Sequence, residues 1–413
     1  MLNWTGRIVL LLLITGALWW FYRQIALRIA VIRLGKPEPV RWDRPLERLA
    51  WMTGRVAAQI CAIRQRPFTG VMHALVFWGF VFFSIATINH VGMTFRPGFS
   101  LLGHGRLADL WFLGVDLTAL FTLIGVIALA IRRYLVRPAG IASPLPISRS
   151  PHSALILALI AGLMITYLLS QGIEITLRGE KPFTWMPISA GLAPLFAGMM
   201  PVQLAIWNHL FWWSHLLMIL GFLVIIPGSK HLHLLSGPVN LFFRSREPVG
   251  TLQPIDFEKS EQFGAATITD YPWKNISDLF ACIDCGRCQD LCPAYATGKP
   301  LSPKVVMMSQ RTYALAESRA LLAGQAPSVS IVPAALSEDE IWSCTTCGAC
   351  MSACPVLNEH IPAIVDLRRS RVMMESSFPQ ELQGAFRGLE TNANPWNAGS
   401  STRMEWAEGL EIP

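Results

Sequence analysis

Four nearly uncharged runs and a fifth that carries four of the nine histidines govern what this chain can fold into. They cover residues 8–22, 70–94, 107–130, 153–175 and 202–235; the second to fourth are interrupted only by Asp109, Asp116 and Glu174. Uncharged stretches of about 20 residues are read as membrane-crossing helices. With 52% hydrophobic and only 15% charged residues over 413 positions, the chain is too apolar for a soluble protein of its size. The apolar content ends near residue 235, and the remainder is polar and rich in cysteine. The spacing thus predicts an all-α fold, a five-span helical bundle followed by a water-facing domain.

The basic residues predict how the bundle is oriented. Arg23, Arg28, Arg33, Arg41, Arg44, Arg48, Arg55, Arg64 and Arg66 fall between the first and second runs, and Arg132, Arg133, Arg137 and Arg149 between the third and fourth. The other connections hold only Arg96 and Arg106, then Arg178 and Lys181. By the positive-inside rule the amino terminus lies outside and the cysteine-rich part in the cytoplasm. Residues 45–65 have the pattern of an interfacial amphipathic helix. The segment 185–200, apolar but broken by Pro187 and Pro194, is expected as an external or re-entrant loop, since a sixth span would put the cysteines outside. The first run has only Arg7 before it and no small-residue cleavage site after it, so it reads as a retained span. A formal charge of +7 is explained by arginines beside anionic lipid, with no nucleic-acid signal.

Eight of the nine cysteines form two copies of one motif. Cys282, Cys285, Cys288 and Cys292 precede Pro293, and Cys344, Cys347, Cys350 and Cys354 precede Pro355, each reading C-x2-C-x2-C-x3-C-P. In the bacterial two-cluster pattern three closely spaced thiolates hold one [4Fe–4S] cubane and the fourth crosses to the other. One cluster is therefore assigned to Cys282, Cys285, Cys288 and Cys354, the other to Cys344, Cys347, Cys350 and Cys292. Zinc is the competing reading, but it prefers separated C-x-x-C pairs or Cys/His mixtures. The helical character of 301–323, between the motifs, favours an α-helical ferredoxin domain. Cys61 stands alone and reads as packing.

Histidines mark the membrane part. His215 and His233 are eighteen residues apart, which on one continuous helix is five turns and roughly 27 Å, close to the hydrocarbon thickness of about 30 Å. His73 and His90 lie near opposite ends of the second span. Because the second and fifth spans run in opposite directions, His73 pairs in depth with His233 and His90 with His215, the minimum for two b-type haems. Seventeen residues leave His90 roughly 100° off the face of His73, which leaves open a single haem or His209 in the outer pair. His104, His152 and His360 read as surface or interface residues.

The run around His215 and His233, HLLMILGFLVIIPGSKHLH, resembles the last span of the gamma subunit of respiratory nitrate reductases, and GVMHALVFWGFVFF around His73 resembles its second span. The segments CIDCGRCQDLCPAYATGKPLSPK and CTTCGACMSACPV are similar to the C-type domains of heterodisulfide reductases. The combination resembles membrane-bound iron–sulfur oxidoreductases of the heterodisulfide-reductase and electron-transfer-flavoprotein:menaquinone oxidoreductase group. That resemblance implies a cytochrome b bundle over residues 1–235, a linker at 236–270, a ferredoxin domain with two [4Fe–4S] clusters at 271–375, and a tail at 376–413 serving as a junction. It implies haem b, menaquinone as substrate, and a cytoplasmic redox partner such as a flavoprotein or a CCG-type iron–sulfur protein, in a bacterial or archaeal cytoplasmic membrane. No CCG sequence is present, so a separate polypeptide supplies that module or the chain is a fragment. The competing expectations are a quinol-oxidising protein feeding a heterodisulfide-reductase-like partner, and a non-redox anchor or transporter.

Overall fold

The computed structural model of the protein describes residues 3–96, 98–103, 105–136, 151–179 and 185–410; His104, Arg137, Arg149 and Lys181 lie outside them. Helix α1 (Trp4–Ile32) is followed by the short α2 (Pro45–Ala57) and α3 (Ile60–Ile63), then by α4 (Pro67–Phe95), α5 (Arg106–Ile131), α6 (Pro151–Arg178), the short α7 (Pro187–Leu192) and α8 (Pro201–Ile225). Five of these, α1, α4, α5, α6 and α8, are long and apolar enough to cross a membrane. Helices α2, α4, α6, α7 and α8 each open on a proline, whose missing N–H costs nothing where a helix has no acceptor to offer. Among the described residues there is no β-strand, only one isolated bridge between Lys36 and Pro272.

The order of packing is α4 on α5, α5 on α6, α6 on α8 and α8 on α1. Helices α4 and α5 approach closely because Gly125 carries no side chain: a Cβ there would stand 2.8 Å from the Met72 carbonyl oxygen. The segment expected as a loop, 185–200, folds as α7 and a 3-10 turn (Ala193–Phe196) laid against α6. Fully buried Asp116 holds it, accepting hydrogen bonds from Ile188 N (2.7 Å) and from Ser189 N and Oγ (3.2 and 2.5 Å).

Two expectations need correction. The stretch 202–235 is not one helix: α8 ends at Ile225, a 3-10 turn spans Ile226–Gly228, and Ser229 is extended. Pro227 has no N–H for the helical ladder, so the chain breaks there. His215 and His233 therefore do not share one helix face. Secondly, the start of the region expected as linker is helical: α9 (His233–Phe242) carries Pro238 within it and buries Gly237, Asn240 and Leu241.

The cysteine domain comprises α10 (Trp273–Ala281), α11 (Arg287–Asp290), α12 (Pro293–Ala296), α13 (Pro303–Leu322), α14 (Ile331–Ala334), α15 (Glu338–Trp342), α16 (Ala349–Ala353) and α17 (His360–Met373), followed by α18 (Glu381–Asn392). It docks directly on the bundle. The last turns of α1 leave the apolar run and enter this domain's core, where Val31 is fully buried among Ile276, Leu279 and Phe280. This is why α1 continues ten residues past the run expected to end at residue 22. Gly35 passes so close to α10 that a Cβ would lie 2.6 Å from Trp273 backbone atoms.

A buried ionic network locks the junction. Arg41 donates two hydrogen bonds to Glu359, at 2.8 and 2.7 Å, and Lys274 donates to Asp278 at 2.6 Å. Asn240 of α9 donates to Asp278, to the Val356 carbonyl and to Asn358. Burial pushes the Glu359 carboxyl up, but Lys274 and the Arg41 fork outweigh it and hold the group below the usual carboxylate range. Breaking a buried pair by removing one partner costs about 3–5 kcal/mol. Arg41→Leu should therefore loosen the junction, read as faster proteolytic cleavage between α9 and α10; an unchanged rate would show that the fork does not hold the two parts together.

Candidate redox centres

The bundle brings the four histidines of α4, α8 and α9 together in two pairs. His73 and His233 have ring centroids 6.2 Å apart, and His90 and His215 have theirs 5.7 Å apart. The first pair lies beside the cysteine domain; the second is about 25 Å further along α4. The angular offset between His73 and His90 is accommodated because their partners do not sit on one straight helix. The break at Pro227 lets His233 approach α4 in a direction unrelated to the face that carries His215.

The ring nitrogens are arranged as ligands would need to be. Metal-ligating histidines commonly bond one nitrogen to a protein group and leave the other for the metal. His73 Nδ1 lies 3.0 Å from Gln59 Oε1, His233 Nδ1 lies 2.9 Å from the Lys230 carbonyl, and His215 Nδ1 lies 3.1 Å from the Leu163 carbonyl and 3.0 Å from Thr166 Oγ1. His90 Nε2 is buried with no hydrogen-bond partner. Two imidazoles on opposite sides of one iron, each nitrogen about 2 Å from it, place ring centroids about 6 Å apart. Both pairs fit that span. A cavity of about 180 Å³ beside the second pair is lined by His90, His215, Trp111, Tyr167, Gln171, Glu174 and Arg178 among others.

The remaining histidines divide differently. His209 is exposed on α8 and accepts from Trp213 Nε1 at 3.0 Å, so it takes no part in the second pair. His231 stands 6.1 Å from His233, and its Nδ1 meets Ser229 Oγ. His152 is exposed, as expected of a surface residue. His360 is not at the surface: it is 1% exposed at the first position of α17, with Nδ1 on the Asn358 carbonyl. Burial lowers its pKa to about 4.

The two cysteine motifs adopt one loop conformation twice. Asp284 and Gly286 have φ of +54° and +76°, and their counterparts Thr346 and Gly348 have +53° and +75°. Glycine fills the second position at no steric cost. Each loop leads into one turn of helix, α11 or α16, and these two pack together with Cys288 and Cys350 in one buried cluster. Burial pushes the Cys288 thiol up, and the nearby sulfurs of Cys282, Cys285, Cys354 and Cys350 push it further. Burial likewise raises Cys350, with Cys344, Cys292 and Cys347 as its charged neighbours. The fourth cysteine of each motif thus stands among the first three of the other. Among the described residues no three His, Cys, Asp or Glu side chains converge tightly enough for a single ion.

The two sets differ in surroundings. Asp284 and Cys285 act electrostatically on Lys230, and Asp284 on His233, so the first set faces the nearer histidine pair. In the second set Cys347 is exposed. Arginines brace both: Arg311 donates to the Cys282 carbonyl (3.2 Å), Arg368 to the Cys344 carbonyl (2.6 Å), and buried Arg287 to the carbonyls of Cys61 and Ala62 (3.0 and 2.9 Å). Arg66 pairs with Asp290, tying the start of α4 to α11. Sequence reading misses Gln59, Thr166 and these arginines, since nothing in their spacing marks them.

The 4Fe-4S dicluster domain family matches residues 278–358. Among curated proteins, the chain is 33% identical to the "Probable iron-sulfur-binding oxidoreductase FadF" of Bacillus subtilis, over 98% of this chain and 62% of that protein. It is 32% identical to the "EtfAB:quinone oxidoreductase" of Syntrophomonas wolfei, over 98% of this chain and 60% of that one. A third relative, one polypeptide of the dihydromethanophenazine:CoB--CoM heterodisulfide reductase of Methanosarcina barkeri, is 31% identical over 32% of this chain and 33% of its own length. The chain spans about three fifths of the length of the first two. No solved structure matches it. The chain is thus a homologue of iron–sulfur oxidoreductases that carries a 4Fe-4S dicluster domain.

Proposed function

We propose that this chain relays electrons within a membrane, between a flavoprotein-type or iron–sulfur partner on the cysteine-domain side and a quinone of the menaquinone type. The observation that carries the reading is the pair of histidine pairs at two depths, the nearer one beside the first cysteine set. His73 and His233 would hold one b haem and His90 and His215 a second, while the crossed cysteine sets would each hold a [4Fe–4S] cluster. Iron in such sites supplies one-electron transfer and no bond chemistry.

The chain's own residues fix where each group sits. Gln59, the Lys230 carbonyl, Leu163 and Thr166 orient the imidazoles, and the Arg41–Glu359 junction sets the separation of cysteines and histidines. Exposed Cys347 makes the second set the side from which a partner would be met. The basic residues Arg66, Arg132, Arg133 and Arg287 gather at the end near the cysteine domain, which supports placing that domain in the cytoplasm of a bacterial or archaeal cell.

Visible spectra of the purified protein test the haem part: reduced b-type bands are expected, and their absence would end that part of the reading. Electron paramagnetic resonance at low temperature after reduction tests the clusters separately. Gln59→Leu, which strips His73 of its hydrogen-bond partner, should weaken retention of the nearer haem about 10–100-fold while leaving the second unaffected. Equal loss of both would contradict the assignment of Gln59 to one pair.

A further inference from the structure

The turn α3 stands between the first cysteine set and the nearer histidine pair and is bonded towards both. On one side Arg287, which lies between Cys285 and Cys288 and is 8% exposed, donates Nη1 to the Cys61 carbonyl at 3.0 Å and Nη2 to the Ala62 carbonyl at 2.9 Å. On the other side the N–H groups of the same two peptide units, those of Ala62 and Ile63, both donate to the Gln59 carbonyl at 3.0 Å. Two parallel peptides therefore join one guanidinium to one carbonyl, and hydrogen bonds in series polarise and strengthen one another.

Gln59 is held in a conformation that a residue with a side chain rarely enters. Its φ is +51°, and such a backbone persists where its surroundings enforce it. Its Nε2 donates to the Val56 carbonyl at 2.7 Å, which turns Oε1 towards His73 Nδ1 at 3.0 Å. Nδ1 of His73 is thereby the protonated nitrogen, and Nε2 is the one left to ligate. The turn has little room to shift. A Cβ on Gly70, in the first turn of α4, would lie 2.6 Å from the Ala62 carbonyl oxygen, and Arg66, just before α4, pairs with Asp290 of α11.

We infer that Arg287 is a positioning residue for His73: by gripping α3 it keeps Gln59 left-handed, so that the first cysteine loop fixes the tautomer and basicity of the nearer imidazole. The inference rests on the electron-relay reading above. The second pair is outside this chain of contacts, since His215 takes its hydrogen bonds from Leu163 and Thr166. A partner that accepts from Nδ1–H raises the basicity of a ligating imidazole. A more basic ligand favours ferric iron, so loosening Gln59 should raise the midpoint potential of the nearer haem alone.

The test uses the purified full chain with its bound groups. Arg287→Lys keeps the positive charge and loses the two-pronged grip. Potentiometric titration followed at the b-type bands should show the nearer midpoint displaced upwards, as in Gln59→Leu, with the second unmoved. In the double variant the displacement should equal that of Gln59→Leu alone, because Arg287 acts through Gln59. Additive displacements, no displacement in Arg287→Lys, or equal movement of both midpoints would overturn the inference. Hydrogen–deuterium exchange of residues 58–66 tests the grip without haem: the amides of Ala62 and Ile63 should exchange about 10-fold faster in Arg287→Lys, and unchanged exchange would overturn it. Absence of b-type bands in the wild type would instead strike the underlying reading, while the exchange measurement would still decide whether Arg287 holds α3.

Discussion

Replacing His233 by alanine is expected to remove roughly half of the b-type absorbance and to leave the second histidine pair spectrally intact. His73 and His233, on separate helices next to the cysteine domain, have ring centroids 6.2 Å apart with both Nδ1 atoms already engaged. Without His233, only His73 would remain of the pair that would hold a haem there. The loss in electron transfer from the cysteine centres to quinone should exceed the 10–100-fold typical of removing an outer hydrogen-bond partner. His231 supplies the control, because it stands 6.1 Å from His233 yet directs its Nδ1 to Ser229. His231→Ala should keep both bands. If His231→Ala lost the band and His233→Ala kept it, the nearer site would have been assigned to the wrong side of the break at Pro227. The same comparison at the other end sets His215→Ala against His209→Ala, the latter expected to be silent because His209 lies on the outer face of α8.

What could be read in advance follows from how local each signal is. The cysteine motifs are legible because three cysteines fall within seven positions, and the loop that carries them repeats down to its left-handed residues. The spans are legible because hydrocarbon tolerates almost no charge. Their ends are not: α1 runs on into the cysteine domain because Val31 finds a second apolar environment there, which hydropathy along the chain does not distinguish from lipid. The histidine pairing is half legible. Depth along a helix follows from residue count, and it pairs the residues whose rings lie together in the structure, but the premise of one straight helix from His215 to His233 fails at Pro227. Arg41 and Asn240 act through partners far off in the sequence, 318 residues for Arg41 and Glu359 and 118 for Asn240 and Asn358, so no window along the chain contains the interaction. His360 reads as surface by its position beside a loop, yet it is buried at the first position of α17.

The proposed crossed ligation has the sharpest consequence among the cysteines. Cys354 belongs to the second motif by sequence, yet its charged neighbours are Cys285 and Asp278, and its sulfur accepts from the Asn358 backbone N–H at 3.3 Å. Cys354→Ser should therefore abolish the same paramagnetic signal as Cys282→Ser, and Cys292→Ser the same as Cys344→Ser, with iron in the cysteine domain falling by about half each time. The kinetic outcomes should diverge, because the first set faces His233 and Lys230 whereas the second reaches the surface at Cys347. In Cys354→Ser a soluble reductant should still reduce the remaining centre while a haem held by His73 and His233 would stay oxidised; in Cys347→Ser the first set should stay intact but be reached only slowly from solution. Retention of the b-type bands would show that the bundle is still folded in each variant. If Cys354→Ser instead removed the signal lost in Cys344→Ser, each motif would close on itself, and the packing of α11 against α16 would serve only to hold the two loops together.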